Sequence, residues 1–199
     1  RSKRWFGGKS RAIQQVKIIE TVPMTAGPGE LDARMLLLKV SYVEGEPEAY
    51  VLFVAFATGE RAERVLNELP NSVLARIQIG AGPATAVAYE GLADKAYLDM
   101  LLQAIARRRH FKGQFGELVA SPVDGFRQLY GPRHGGLEAS VLKADQSNTS
   151  VVYGDRLILK LLRRPDPGIN PDLEIGRSAE PGVACIVAVN STPDGGAEF

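Results

Sequence analysis

Cysteine occurs once in the 199 residues, at Cys185. A single cysteine excludes a disulfide framework within the chain and fits a reducing compartment. A surplus of one charge is also missing, because 24 Lys and Arg face 23 Asp and Glu. The basic field that usually draws a protein to nucleic acid is therefore absent. No apolar run approaches the ~20 residues that a membrane-spanning helix needs. The start, Arg1-Ser2-Lys3-Arg4, is basic and lacks the hydrophobic stretch of a secretory signal. The expectation is a cytoplasmic protein with neither nucleic acid nor membrane as partner. Histidine is scarce, at His110 and His134 alone. What the chain does have is apolar content of 45%, enough to bury a substantial core in one or two domains.

Strand patterns dominate the first 90 residues. Residues 13–22, 35–43 and 49–57 are rich in Val, Ile, Leu, Phe and Tyr, and Glu44-Gly45-Glu46-Pro47 supplies turn chemistry between the last two. An antiparallel meander is predicted. Residues 61–69 make a short helix with Val65, Leu66 and Leu69 on one side, ended by Pro70-Asn71. Short strands near 73–79 and 84–89 flank Gly80-Ala81-Gly82-Pro83, which reads as a turn because no helix start follows it. From Asp94 to Arg109 the period becomes helical, with Tyr97, Leu98, Leu101, Leu102 and Ile105 forming a core stripe. Arg107, Arg108 and Arg109 then read as cations at a helix C-terminus rather than a phosphate patch. A Gly-rich loop passage follows from Gly113 to Gly136, interrupted by Leu118-Val119, and no internal repeat is evident.

Near the start, Trp5-Phe6-Gly7-Gly8-Lys9-Ser10 ends like a phosphate-binding loop. That pattern needs a glycine where Lys3 stands, and a preceding strand for which only four residues are available. The stretch needs another explanation. The chain begins without methionine and ends in Gly195-Gly196-Ala197-Glu198-Phe199, which reads as part of something longer.

Chemistry concentrates in residues 144–177. Two β-rich runs, 149–153 and 156–162, are separated by Gly154-Asp155, a tight hairpin. Gln146-Ser147-Asn148 before it can offer polar donors. Lys160 interrupts the apolar Leu157-Ile158-Leu159-Lys160-Leu161-Leu162, and it must face water or meet an anion, since burying it unpaired is costly. Asn170-Pro171-Asp172-Leu173-Glu174 carries the signals of a helix start. A hairpin over a nucleotide, a strand lysine on its phosphates and a helix glutamate orienting that lysine is a kinase-type arrangement. The alternative is that Lys160 is a strand-edge charge and Glu174 a first-turn acid.

Gln146–Arg164 as written, QSNTSVVYGDRLILKLLRR, followed by PGINPDLEIGR, closely resembles the bacterial maltokinase family, including the kinase part of fused trehalose synthase–maltokinases. RWFGGKSRAI at the start resembles that family's N-terminal cap signature. The resemblance covers residues 1 to about 177 and implies an α+β fold. An antiparallel-sheet cap domain, 1–90, would be followed over 91–199 by an intermediate segment and part of a protein-kinase-like N-lobe. It implies phosphorylation of maltose at its anomeric hydroxyl with ATP and Mg2+, supplying maltose 1-phosphate to α-glucan, glycogen and trehalose metabolism. It further implies that Ser147, Asn148, Thr149 and Ser150 cover the phosphates and that Lys160 binds them. Glu174, or another acid in the Asp172–Glu174 turn, would pair with Lys160. Trp5, Phe6, Gly7, Gly8 and Lys9 would serve the cap structurally.

Two departures bear on activity. No His-x-Asp stretch is present: His110 precedes Phe-Lys and His134 precedes Gly-Gly. After Arg177, Ser178-Ala179-Glu180-Pro181-Gly182 breaks the helix that the family continues, and residues 183–189 could add one strand. The sequence itself therefore supplies neither a catalytic residue nor metal ligands. Beside the maltose kinase stand a non-catalytic docking module for a trehalose synthase partner and a kinase of a related sugar such as glucosamine.

Overall fold

The structure is a computed structural model. It describes residues 5–25, 31–79, 85–123, 125–131, 137–142 and 148–165, with the backbone of 183–185 and 188–191. The expectations for Gly80-Ala81-Gly82-Pro83, His134, Ser147 and the helix start at Asn170–Glu174 lie outside the described residues.

Alternating apolar residues draw the first three strands into the predicted meander: β1 (Ile13–Pro23), β2 (Asp32–Tyr42) and β3 (Glu48–Thr58). The helix α1 (Gly59–Glu68) crosses to β4 (Val73–Gln78), and β5 (Thr85–Glu90) returns. The five strands form one antiparallel sheet in the order β1-β2-β3-β5-β4. Register shifts between Ile13 and Gln15 and between Ile18 and Glu20 interrupt the β1 ladder. One sheet face is the core face: Ala33, Met35 and Leu37 of β2 stand beside Val51, Phe53 and Ala55 of β3, all buried.

The strongly periodic helix is α2 (Lys95–Ala106). Asp94 caps it, accepting from the backbone N–H of Ala96 at 2.9 Å. Tyr97, Leu98, Leu101, Leu102, Ala104 and Ile105 are buried, a wider arc than one sheet would cover. The Tyr97 ring stands edge-on to Phe53 of the five-stranded sheet, with centroids 6.3 Å apart. On the other side, the hydroxyl of Tyr153 donates to the carbonyl of Leu98 at 2.8 Å. A single apolar core thus runs from Val22 to Leu161 through α2.

The passage expected to be loop differs. Within it lie β7 (Gly116–Val119), which takes in the apolar Leu118-Val119, and α3 (Phe126–Tyr130), and it is flanked by β6 (His110–Lys112) and β8 (Ala139–Val141). Elements of three to five residues are too short to show a period, and they form because other parts of the chain hold them. Glu20 of β1, buried, accepts from the backbone N–H groups of Gln114 and Phe115, both at 2.8 Å, and so secures the β6–β7 turn. His110, expected in a loop, begins β6 and faces Glu117 across the hairpin at 3.4 Å.

The second hairpin pairs β9 (Asn148–Tyr153) with β10 (Leu157–Leu162). Its turn has three residues rather than two, since Tyr153 pairs with Leu157. Gly154 takes the left-handed conformation there, with φ of 58°. The residues expected to add one strand give two, β11 (Val183–Cys185) and β12 (Ala188–Ser191), which serve different sheets. The first runs parallel to β10 in the order β11-β10-β9-β8, and the second joins β7 in β12-β7-β6.

Replacing Glu20 by Ala leaves two turn amides without their acceptor. Urea denaturation should show a loss of about 1–3 kcal/mol, and amide exchange at Gln114 and Phe115 should accelerate; an unchanged midpoint would contradict the anchoring role.

Asp94 also accepts from the Tyr89 hydroxyl at 2.7 Å and from Arg61 at 2.9 Å. Burial opposes its charge, but the hydrogen bonds from Tyr89, Ala96 and Arg61 outweigh that and hold its carboxyl below the ordinary value. A lowered folded-state pKa contributes stability above the unfolded value, roughly pH 4, that is lost as pH falls through the folded value. Asp94→Asn should therefore be less stable than wild type at neutral pH, with the gap closing below that range. A gap that stayed constant in acid melts would refute this account.

Candidate functional site

The β9–β10 hairpin has two chemically distinct faces. Leu157, Leu159 and Leu161 alternate into the core with Thr149, Val151 and Tyr153, their direct cross-strand partners. The opposite face carries Asn148, Ser150 and Val152 against Leu162, Lys160 and Ile158. Lys160 is half-buried and sits opposite Ser150. No ion pair or hydrogen bond is made by its ammonium among the described residues. A lysine with no described counter-charge beside these polar side chains fits an anionic group approaching that face.

Thr149 points the other way. Its Oγ1 accepts a hydrogen bond from Nε of Arg163 at 2.8 Å. Arg163 is 2% exposed, and every part of its guanidinium is used. Nη2 pairs with Oε1 of Glu90 at 3.0 Å, and Nη1 donates to the Val51 carbonyl at 3.4 Å. The group also lies over the Trp5 and Phe53 rings, 4.9 and 5.5 Å from their centroids. The Arg163 carbonyl in turn accepts from the Val51 N–H at 2.8 Å. The first half of β3, paired on one side by β2 only, thereby gains a partner on its other side.

WFGGKS folds as turns leading into a strand, not a helix. Phe6 is buried and Trp5 half-buried, and both rings pack on Tyr50, with centroids 5.0 and 6.0 Å away. A Cβ on Gly8 would run into the Tyr42 ring, so glycine is what lets the turn lie this close. Beneath it, Glu48 accepts from the Tyr42 hydroxyl at 2.6 Å and from Tyr50, and pairs with Arg11 at 3.2 Å and Arg164 at 3.5 Å. Burial raises the Glu48 carboxyl, yet the two hydroxyls, then Arg164 and Arg11, carry it below its ordinary value. The motif is a clasp over the outer face of the sheet, consistent with a structural role for Trp5, Phe6 and Gly8. Lys9 lies exposed in the same turns.

Of the residues assigned to phosphate, the structure brings Asn148, Ser150 and Lys160 to one face and turns Thr149 to the other. Ser147 and Glu174 lie outside the described residues. The described residues gather no group of three His, Cys, Asp or Glu side chains fit for a metal ion. Sequence reasoning overlooked Arg163 and Glu90. A signal existed for Arg163, which continues the buried phase of Leu157, Leu159 and Leu161, but a cation in that phase reads as the strand's exit into water.

Residues 1–94 match the family described as the maltokinase N-terminal cap domain. The match spans the five-stranded sheet, α1 and the cap residue of α2. No helix among the described residues is long and apolar enough to cross a membrane. The curled antiparallel sheet and the aromatic clasp at its start lie within the residues that match the maltokinase cap domain, a match that supports the resemblance of this chain to the maltokinase family.

Proposed function

We propose that this chain carries the cap and the nucleotide-facing hairpin of an ATP-dependent kinase that phosphorylates maltose at its anomeric hydroxyl. The product, maltose 1-phosphate, would feed α-glucan synthesis in the cytoplasm. The observation that carries the reading is Lys160, a half-buried lysine whose ammonium has no described partner, on one hairpin face with Asn148 and Ser150. The match of residues 1–94 to a maltokinase cap domain supports this reading.

In this reading β9 and β10 are the roof of a kinase-like N-lobe. Lys160 holds the α- and β-phosphates of ATP by charge, Asn148 and Ser150 lie beside them, and Ser147 would join them. Apolar Val152, Ile158 and Leu162 line the same face and suit the flat, uncharged part of a nucleotide. Glu174 would orient Lys160. Magnesium would enter with the nucleotide, held by its phosphates.

A second reading is favoured by one observation. On the outer face of the cap sheet Val16 is 52% and Ile18 55% exposed, neighbours on the edge strand β1. A cap that docks onto trehalose synthase through this face would need no chemistry of its own. Capture of trehalose synthase by the chain, abolished by Ile18→Asp with ATP binding unchanged, would support it.

Calorimetric titration with ATP should show binding that Lys160→Ala weakens about ten-fold or more, the worth of a charge-assisted contact. Equal affinity of the two proteins would remove Lys160 from the site. Incubated with maltose, ATP and magnesium, the chain should form no maltose 1-phosphate detectable by NMR. A missing general base alone removes ~10²–10⁴-fold, and no His-x-Asp stretch occurs in this sequence. Product formation abolished by Lys160→Ala would show that an active site is assembled from these residues after all.

A further inference from the structure

We infer that Arg163 is a positioning residue for the nucleotide face, through which the cap fixes the strand end that meets the phosphates. The inference rests on the reading of that face as the ATP site.

The β9–β10 ladder ends at Asn148 opposite Leu162. Beyond it, the hairpin's own hydrogen bonds no longer restrain the chain, and strand ends fray readily. Asn148 is the last rung, and Thr149 and Ser150 are the next two. Arg163, the first residue past the ladder, reaches back to Thr149 Oγ1 at 2.8 Å. It is fixed at the other end by Glu90 at 3.0 Å and by both backbone groups of Val51. Glu90 and Val51 belong to β5 and β3, within the matched cap residues. Two neighbours of Thr149, Asn148 and Ser150, present the opposite face. Holding Thr149 from below therefore sets where those side chains stand above.

The geometry is suited to this work. The guanidinium is planar, and its fork is locked by Thr149, Val51, Glu90, Trp5 and Phe53 in one orientation. Glu90 Oε2 is buried with no hydrogen-bond partner among the described residues. That carboxylate is tied down through Arg163 by its other oxygen alone. A shift of the cap sheet would move Glu90 and Val51, then Arg163, then Thr149. Occupancy of the cap by a partner can thus change nucleotide affinity without any contact with the nucleotide.

Thr149→Val keeps the side-chain shape and removes the acceptor, whereas Thr149→Ser keeps the acceptor. The full chain is titrated with ATP, with thermal melting alongside. Thr149→Val should bind ATP about ten-fold more weakly, as expected for losing a hydrogen bond to a charged group, and Thr149→Ser should restore affinity. Glu20→Ala is the control: it destabilises the fold away from the hairpin and should keep wild-type affinity. Should Thr149→Val fail to fold, Glu90→Gln, which removes the charge and preserves the shape, takes its place with the same expectation. Wild-type affinity in a folded Thr149→Val or Glu90→Gln, while Lys160→Ala still loses binding, would overturn the role of Arg163 and leave the nucleotide reading standing. An equal loss in Glu20→Ala would reduce the effect to general stability and also overturn it. A wild-type chain that binds no ATP would overturn the nucleotide reading itself, and this inference with it.

Discussion

Burying a guanidinium strips away the water that solvates it, and Arg163 recovers that loss from five directions at once. Glu90, Thr149 and the Val51 carbonyl accept its protons, and two aromatic rings face its plane. The five partners come from four stretches of chain: Glu90 from β5, Thr149 from β9, Val51 and Phe53 from β3, and Trp5 from the clasp. Were Glu90 misplaced, the buried cation would be left without its counter-charge, at a cost of ~3–5 kcal/mol. This contact makes the hairpin and the cap sheet agree on their relative placement. Apolar packing around α2 alone would tolerate some sliding.

A second layer of polar groups repeats the logic at lower stakes. Glu20 secures the β6–β7 turn, Asp94 joins α2 to Tyr89 and Arg61, and Glu48 joins the clasp to Arg164 next to Arg163. In each case a carboxylate accepts hydrogen bonds from groups distant in sequence. The core supplies most of the stability through Leu, Val and Tyr burial, and the carboxylates choose one arrangement among the many that such a core allows.

The long elements were legible because each shows its period over enough residues. The meander of β1, β2 and β3, the stripe of α2 and the β9–β10 pairing stand close to where alternation and helical spacing put them. The pieces from β6 to β8 were not legible. With three to five residues each, they are fixed by tertiary partners such as Glu20, which is 94 positions from Gln114. At the candidate site, Lys160 stood out as a charge interrupting an apolar run. Arg163 and Glu90 did not stand out, since ion pairs across 73 positions leave no local trace. Thr149 was read with its polar neighbours, although in a strand only alternate residues share a face.

The two interruptions of the β1 ladder have a consequence for life in a crowded solution. Among the described residues β1 is the outermost strand of its sheet, with no strand of that sheet on its outer side, and exposed Val16 and Ile18 make it apolar as well. A straight strand of that kind invites another chain to pair with it. The irregularities at Ile13/Gln15 and Ile18/Glu20 leave only a short regular stretch between them, and Lys17 in its middle sets a charge against any incoming copy. The edge can accept a partner shaped to fit its bends while resisting growth into an endless sheet.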